Sequence, residues 1–207
     1  MSVRICVMKN SYNNAPNFVQ EFIDHTIDVE GEYVNDPDDR GGETRYGVTK
    51  RVAESFSDHW QEYGWDGDMR SLPYEFAQDL YAHEYYYRPK FNLWEGVSEL
   101  IAKELFDTGV NMGTMKPVKY IQRWLNVYNQ QGKWYKDLVV DGFLGSKTIN
   151  AYKTLCDKRG NATVENVMYN CLNALQCVNY LEIAEGKPSQ EKFVFGWVAN
   201  RVDYKPF

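Results

Sequence analysis

From Thr163 to Glu185, apolar side chains return every three or four residues: Val164, Val167, Met168, Cys171, Leu172, Leu175 and Leu181. That spacing places them on one face of a long helix. Such a helix cannot cover its own apolar stripe, so other parts of the chain must pack against it. The same period recurs upstream. Phe18, Val19, Phe22, Ile23 and Ile27 share one face, and Val118, Ile121, Leu125 and Tyr128 share another. Further helices are expected after Thr49, from Pro73 to Arg88, from Glu99 to about Thr108 with Ser98 as cap, after Ser146, and from Glu191 to Ala199. Asn17 with Gln20 reads as a capping box for the first helix, and Gly31 as its stop after Glu30. The fold class is therefore mainly α, with turn-rich connections.

One segment breaks the pattern. Residues 31–47 hold five Gly or Pro positions and a run of acids, too interrupted for a helix, and a small β-hairpin is expected there. The best candidate boundary is Gly109 to Pro117. It divides the chain into an N-terminal extension (1–17), a first domain (18–112) and a helical second region (113–207), with the halves expected to pack tightly.

Composition narrows the function classes. The net charge is −6 and no run of Lys or Arg occurs, which argues against a nucleic-acid partner. An acidic chain gains no general attraction to an anionic cell envelope, so binding there must be local and set by shape. Aromatics reach 15%. Most fit a tyrosine-rich core, and some could line a groove as platforms for sugar rings. Cys6, Cys156, Cys171 and Cys177 show no CxxC spacing and read as reduced core thiols. With only His25, His59 and His83 available, no metal and no other cofactor is expected. The first 17 residues lack a signal-type apolar core, and no stretch approaches the roughly 18 apolar residues of a membrane span. A cytoplasmic product without stable membrane insertion is expected, and a monomer.

The broken segment carries the chemistry. Glu30 closes an apolar-faced helix, where unpaired carbonyls disfavour a carboxylate and should raise its pKa. A raised pKa suits a general acid, although a solvated glutamate ending a helix would have the same sequence signature. Asp39, nine residues on, could hold water or stabilise an oxocarbenium-like centre, as the second carboxylate of a glycosidase does. Thr44 could position a nucleophilic water or cap the loop. Tyr33, Asn35 and Tyr46 could contact sugar hydroxyls or pack the loop. Calcium binding is the rival reading, but Asp36, Asp38, Asp39 and Glu43 lack the spacing of an EF-hand.

Glu30-Gly31-x-Tyr33, Asn35-Asp36-Pro37-x-Asp39-x-Gly41-Gly42-x-Thr44 and Tyr46-Gly47-Val48-Thr49 together resemble the signature of glycoside hydrolase family 108, the phage-type N-acetylmuramidases. Glu32 stands where a second Gly is usual, and Arg40 where Pro is frequent. The resemblance implies a lysozyme-like helical domain with Glu30 as catalytic acid. It extends through Leu105 to Gly113, where Asn111 is either a substrate contact or a helix-end residue. Beyond that, Ile121-Gln122-x-x-Leu125-Asn126 and Val140-Asp141-Gly142-x-x-Gly145-x-x-Thr148 resemble the predicted peptidoglycan-binding region of these enzymes, and Gly196-Trp197 with Arg201 their closing segment. It implies peptidoglycan as partner, hydrolysis of its muramyl β-1,4 bond, and an endolysin held in the host cytoplasm until a holin releases it. A lytic transglycosylase acting on the same bond and a non-catalytic wall-binding virion module are the alternatives.

Overall fold

The structure is a computed structural model that describes residues 8–30, 33–35 and 42–204, with the backbone alone for Val29 and Glu30. It is mainly helical with one small antiparallel sheet, as the apolar periodicity requires. Among the described residues, no helix is long and apolar enough to cross a membrane. The chain forms two compact units, Met1–Arg88 and Pro89–Phe207.

In the first unit, α1 spans Asn17–Glu30. Its apolar face is fully buried at Val19, Ile23 and Ile27, and each such side chain contributes about 1.5–3 kcal/mol of transfer free energy. The expected capping box does not form. Asn17 lies inside the helix, and the N–H groups of Val19 and Gln20 donate to the Pro16 carbonyl. The Gln20 amide turns back to the carbonyls of Tyr12 and Ala15 instead. The hairpin sits at the far end of the broken segment and runs past it, with β1 at Thr44–Arg45 and β2 at Val48–Thr49. Tyr46 and Gly47 form its two-residue turn, both at positive φ (55° and 71°), the backbone that matches strand twist in tight hairpins.

Helix α2 (Lys50–Glu54) starts where Thr49 accepts a hydrogen bond from the Val52 amide. The helix expected from Pro73 to Arg88 has two parts. The first is α3 (Tyr74–Tyr81), and over Ala82–Tyr87 the winding widens, with Arg88 N–H donating to the His83 carbonyl five residues back. An aromatic core lies beside it: Trp65 is 4.6 Å from Trp60 and 5.3 Å from Phe76, ring centre to centre. Gly67 is required there, since a Cβ would lie 2.4 Å from the Trp60 ring. Residues 8–16 belong to this core as well. Met8 and Ala15 are buried, and the Asp79 carboxyl accepts from the amides of Asn10 and Tyr12 and from the Tyr63 hydroxyl.

The second unit holds α4 (Glu99–Met112), α5 (Met115–Tyr128), α6 (Ser146–Arg159), α7 (Asn161–Gly186) and α8 (Glu191–Arg201). Ser98 caps α4 through the Ile101 amide, as expected, but α4 continues through Gly109 to Met112. Helix α7 packs against α4, α5, α6 and α8. Its apolar stripe is partly corrected: Leu172 and Met168 are buried, whereas Leu181 is 54% exposed. Polar residues occupy much of the buried face instead, namely Asn173, Gln176 and Asn179. They meet acids and a lysine. Gln176 donates to Asp107 (3.0 Å), and Lys116 donates to Asn179 (2.6 Å). Glu104, also in this seam, accepts from the Thr108 hydroxyl at 3.0 Å. Burial, and then the neighbouring Asp107, push the Glu104 carboxyl up to about 8. Cys156 is buried and Cys171 half-buried, and both are free thiols.

Candidate active site

The helix that ends in Glu30 is held on several sides. Its buried face packs on α3 and on the wide turn that follows. Asp24, on another face, accepts from the Tyr12 hydroxyl (2.6 Å) and the Gln78 amide (2.7 Å). Glu30 is the last residue of α1, so its backbone is placed by a helix that cannot easily shift. Near that end, Tyr74 of α3 has its hydroxyl held above the usual phenol range by burial and then by the carboxylates of Asp24 and Asp28.

The acidic loop after Glu30 is clamped where its two ends meet. Val34 and Thr44 pair through backbone hydrogen bonds of 2.9 and 2.8 Å. The Tyr33 hydroxyl donates to Glu43 (2.9 Å), and Lys50 pairs with the other oxygen of Glu43 (2.6 Å). The Arg70 guanidinium lies 5.6 Å from the Tyr33 ring centre. Lys50, and then Tyr33, hold the Glu43 carboxyl below the usual range. An ionised, doubly paired carboxylate is a poor proton donor, so Glu43 serves as a clasp.

The expected substrate-contact residues fall into different settings. Tyr33 is half-buried and engaged in the clasp. Asn35 is exposed beside it. Thr44 sits in β1, its hydroxyl 3.4 Å from the Gly42 carbonyl. Tyr46, at the hairpin turn, packs edge-on against Tyr74 at 5.3 Å and lies under the Arg45 guanidinium at 4.9 Å. Asp39 and Glu32 lie outside the described residues. The first unit therefore contains Glu30, Tyr33, Asn35, Thr44 and Tyr46. Asn111 belongs to the second unit, where its amide donates to the Asp107 carbonyl (2.8 Å) in the last turn of α4.

Sequence reasoning missed Lys50, Arg70 and Tyr74. None belongs to a recognisable motif, because each acts through a contact between segments distant in sequence. Glu104 has the raised pKa that often marks a catalytic acid. It is only 4% exposed, however, and is enclosed by the α4–α7 seam, which leaves no room for a sugar.

Comparison with known proteins supplies an independent line. Residues 23–113 match the family described as Glycosyl hydrolase 108, and residues 116–202 match the Predicted Peptidoglycan domain. The solved structure of Brucella abortus SagA resembles the chain with a TM-score of 0.56 and 19% identity, over 89% of this chain and 90% of that one. At that identity the likeness concerns the fold. No curated protein matches.

Proposed function

We propose, from the premise that this chain belongs to the glycosyl hydrolase 108 family with a peptidoglycan-binding region and so hydrolyses peptidoglycan, that it is an N-acetylmuramidase using Glu30 as general acid. The supporting observation is that the family match over residues 23–113 contains Glu30 at the end of an anchored helix, next to an acidic loop clasped by Tyr33, Glu43 and Lys50. Glu30 gives its proton to the glycosidic oxygen as the bond from the muramyl anomeric carbon to that oxygen breaks. A water attacks the anomeric carbon and passes its proton to a carboxylate, for which Asp39 is the candidate, with Thr44 orienting the water. The clasp holds the two described ends of the loop, Val34 and Thr44, at fixed separation.

Tyr33, Asn35 and Tyr46 are proposed to line the sugar-binding side of this region, and Asn111, in the second unit, is separately proposed as a substrate contact. In this proposal the catalytic portion spans residues 18–112 and the wall-binding region 113–207. A cytoplasmic endolysin of a phage, acting as a monomer and released by a holin, is the setting this reading favours. Mass spectrometry of digested peptidoglycan tests the reaction type. Hydrolysis yields muramic acid with a free reducing end. Anhydro-muramyl ends would replace this reading with a lytic transglycosylase, and intact glycan chains with a binding module.

A further inference from the structure

The second unit contains an open cavity of about 730 Å³ between α5, the extended stretch 135–141 and the start of α6. Its walls are fixed from within. The buried Gln122 side chain donates to the Asp141 carboxylate (2.9 Å) and the Phe143 carbonyl (3.2 Å), and accepts from the Gly142 amide (3.0 Å). Gly142 has φ +80°, and a Cβ there would lie 3.0 Å from the Met115 carbonyl oxygen, so the turn tolerates no side chain. One turn further along α5, Asn126 bonds both backbone groups of Leu138, at 2.7 and 2.9 Å. The Tyr135 hydroxyl reaches the Leu125 carbonyl.

The surface lining this cavity is unlike that of a solvated loop. Val139 is 75% exposed and Phe143 69%. The backbone amide and carbonyl of the lining residue Val139, and those of Val140 next to it, bond to no other described group of the chain. The lining acids are committed: Asp137 accepts from Asn129, and Asp141 from Gln122 and the Phe143 amide. The exposed Lys136 and Lys147 have no such partner among the described residues. Gly145 caps α6 without a side chain, which adds open N–H groups on the same wall. On a chain of net charge −6, this is a local site offering amide pairing, small apolar contacts and uncommitted positive charge.

We infer that this cavity binds the peptide stem of peptidoglycan, a chain of amide-linked residues with methyl side chains and free carboxylates. The inference rests on the peptidoglycan reading above and locates the wall-binding site within the second unit. The methyl groups pack on Val139 and Phe143, the amides pair with the open backbone of residues 139–140, and a carboxylate faces Lys147. Phe143 is the one exposed ring of the lining, and Tyr135, half-buried with its hydroxyl tied to the Leu125 carbonyl, does not extend it into a flat sugar platform.

The test uses the full chain as Glu30→Gln, isotope-labelled, and titrated separately with N-acetylmuramyl-L-alanyl-D-isoglutamine and with tetra-N-acetylchitotetraose. The expected result is that the muramyl peptide moves the amide resonances of Val139, Val140, Phe143 and Lys147, and the chitotetraose does not. Lys147→Glu should weaken muramyl-peptide binding by about tenfold, the scale of one charge-assisted contact, with its remaining spectrum unchanged. Phe143→Ser should weaken it as well. Silence of these resonances toward the muramyl peptide, or an equal response to the sugar alone, overturns the inference. Reducing-end release by the wild-type chain is scored separately, so a failure of the hydrolase reading cannot be mistaken for a failure of the cavity.

Discussion

Each compact unit buries a carboxyl group, and the two are buried differently. In the first, Asp79 is 5% exposed and accepts three hydrogen bonds, two of them from backbone amides of residues 10 and 12. In the second, Glu104 is 4% exposed, hydrogen-bonds the side chains of Thr108 and Asn173, and lies beside another acid, Asp107. The first arrangement fastens a chain segment to the core. The second leaves a proton poised near neutral pH. Burial alone therefore says little about an acid: backbone donors from a distant segment make Asp79 an anchor, while burial beside Asp107 raises the pKa of Glu104.

The largest expected effect tests the anchor. Asp79→Ala leaves the Asn10 and Tyr12 amides and the Tyr63 hydroxyl without their acceptor. It should cost about 3 kcal/mol or more, read as a lower denaturation midpoint, with protease cleavage appearing before Asn17. If the midpoint stays within error, the anchor half of the comparison breaks.

A smaller effect, opposite in sign, tests the poised proton. From about pH 5 to about 8 the unfolded chain has lost the Glu104 proton while the folded chain keeps it. The folded state then binds more protons, so stability falls as pH rises through this window. Glu104→Gln removes that loss while keeping an acceptor for Thr108. It should stabilise the chain at pH 8 by an amount on the order of a few kcal/mol, and by little at pH 4. Equal shifts at both pH values would show that the seam does not hold its proton as described.

The smallest structural effect belongs to the clasp. Tyr33→Phe removes only the hydrogen bond to Glu43. The thermal midpoint should stay within about 2 °C, while peptidoglycan turnover falls severalfold. A large loss of stability with activity unchanged would reassign the clasp to the fold.

The helices were legible because apolar residues at a 3.6-residue period can be read directly, and the cap at Ser98 because a hydroxyl before such a run has one favoured use. Leu181 was misread. Periodicity extended the stripe to it, while the buried face beyond Leu172 holds Asn173, Gln176 and Asn179 beside Tyr180 and Ala184, and the polar three are accommodated by partners on other segments, such as Asp203, Asp107 and Lys116, that no local pattern announces. The hairpin position was obscured because Tyr46 takes a positive φ that its residue type does not announce, and it is held there between Arg45 and Tyr74. At the candidate site, the place of Glu30 at the end of α1 followed from Gly31. The clasp partners Lys50 and Arg70 did not follow from any local pattern, since long-range pairing leaves no periodic trace.

The identity of the acid is tested most directly by Glu30→Gln, assayed by release of reducing ends from purified peptidoglycan alongside the thermal midpoint. The account predicts a fall in rate of about 10²–10⁴-fold, the usual share of a general acid, with the midpoint unchanged. Wild-type rates in a folded Glu30→Gln protein would contradict it.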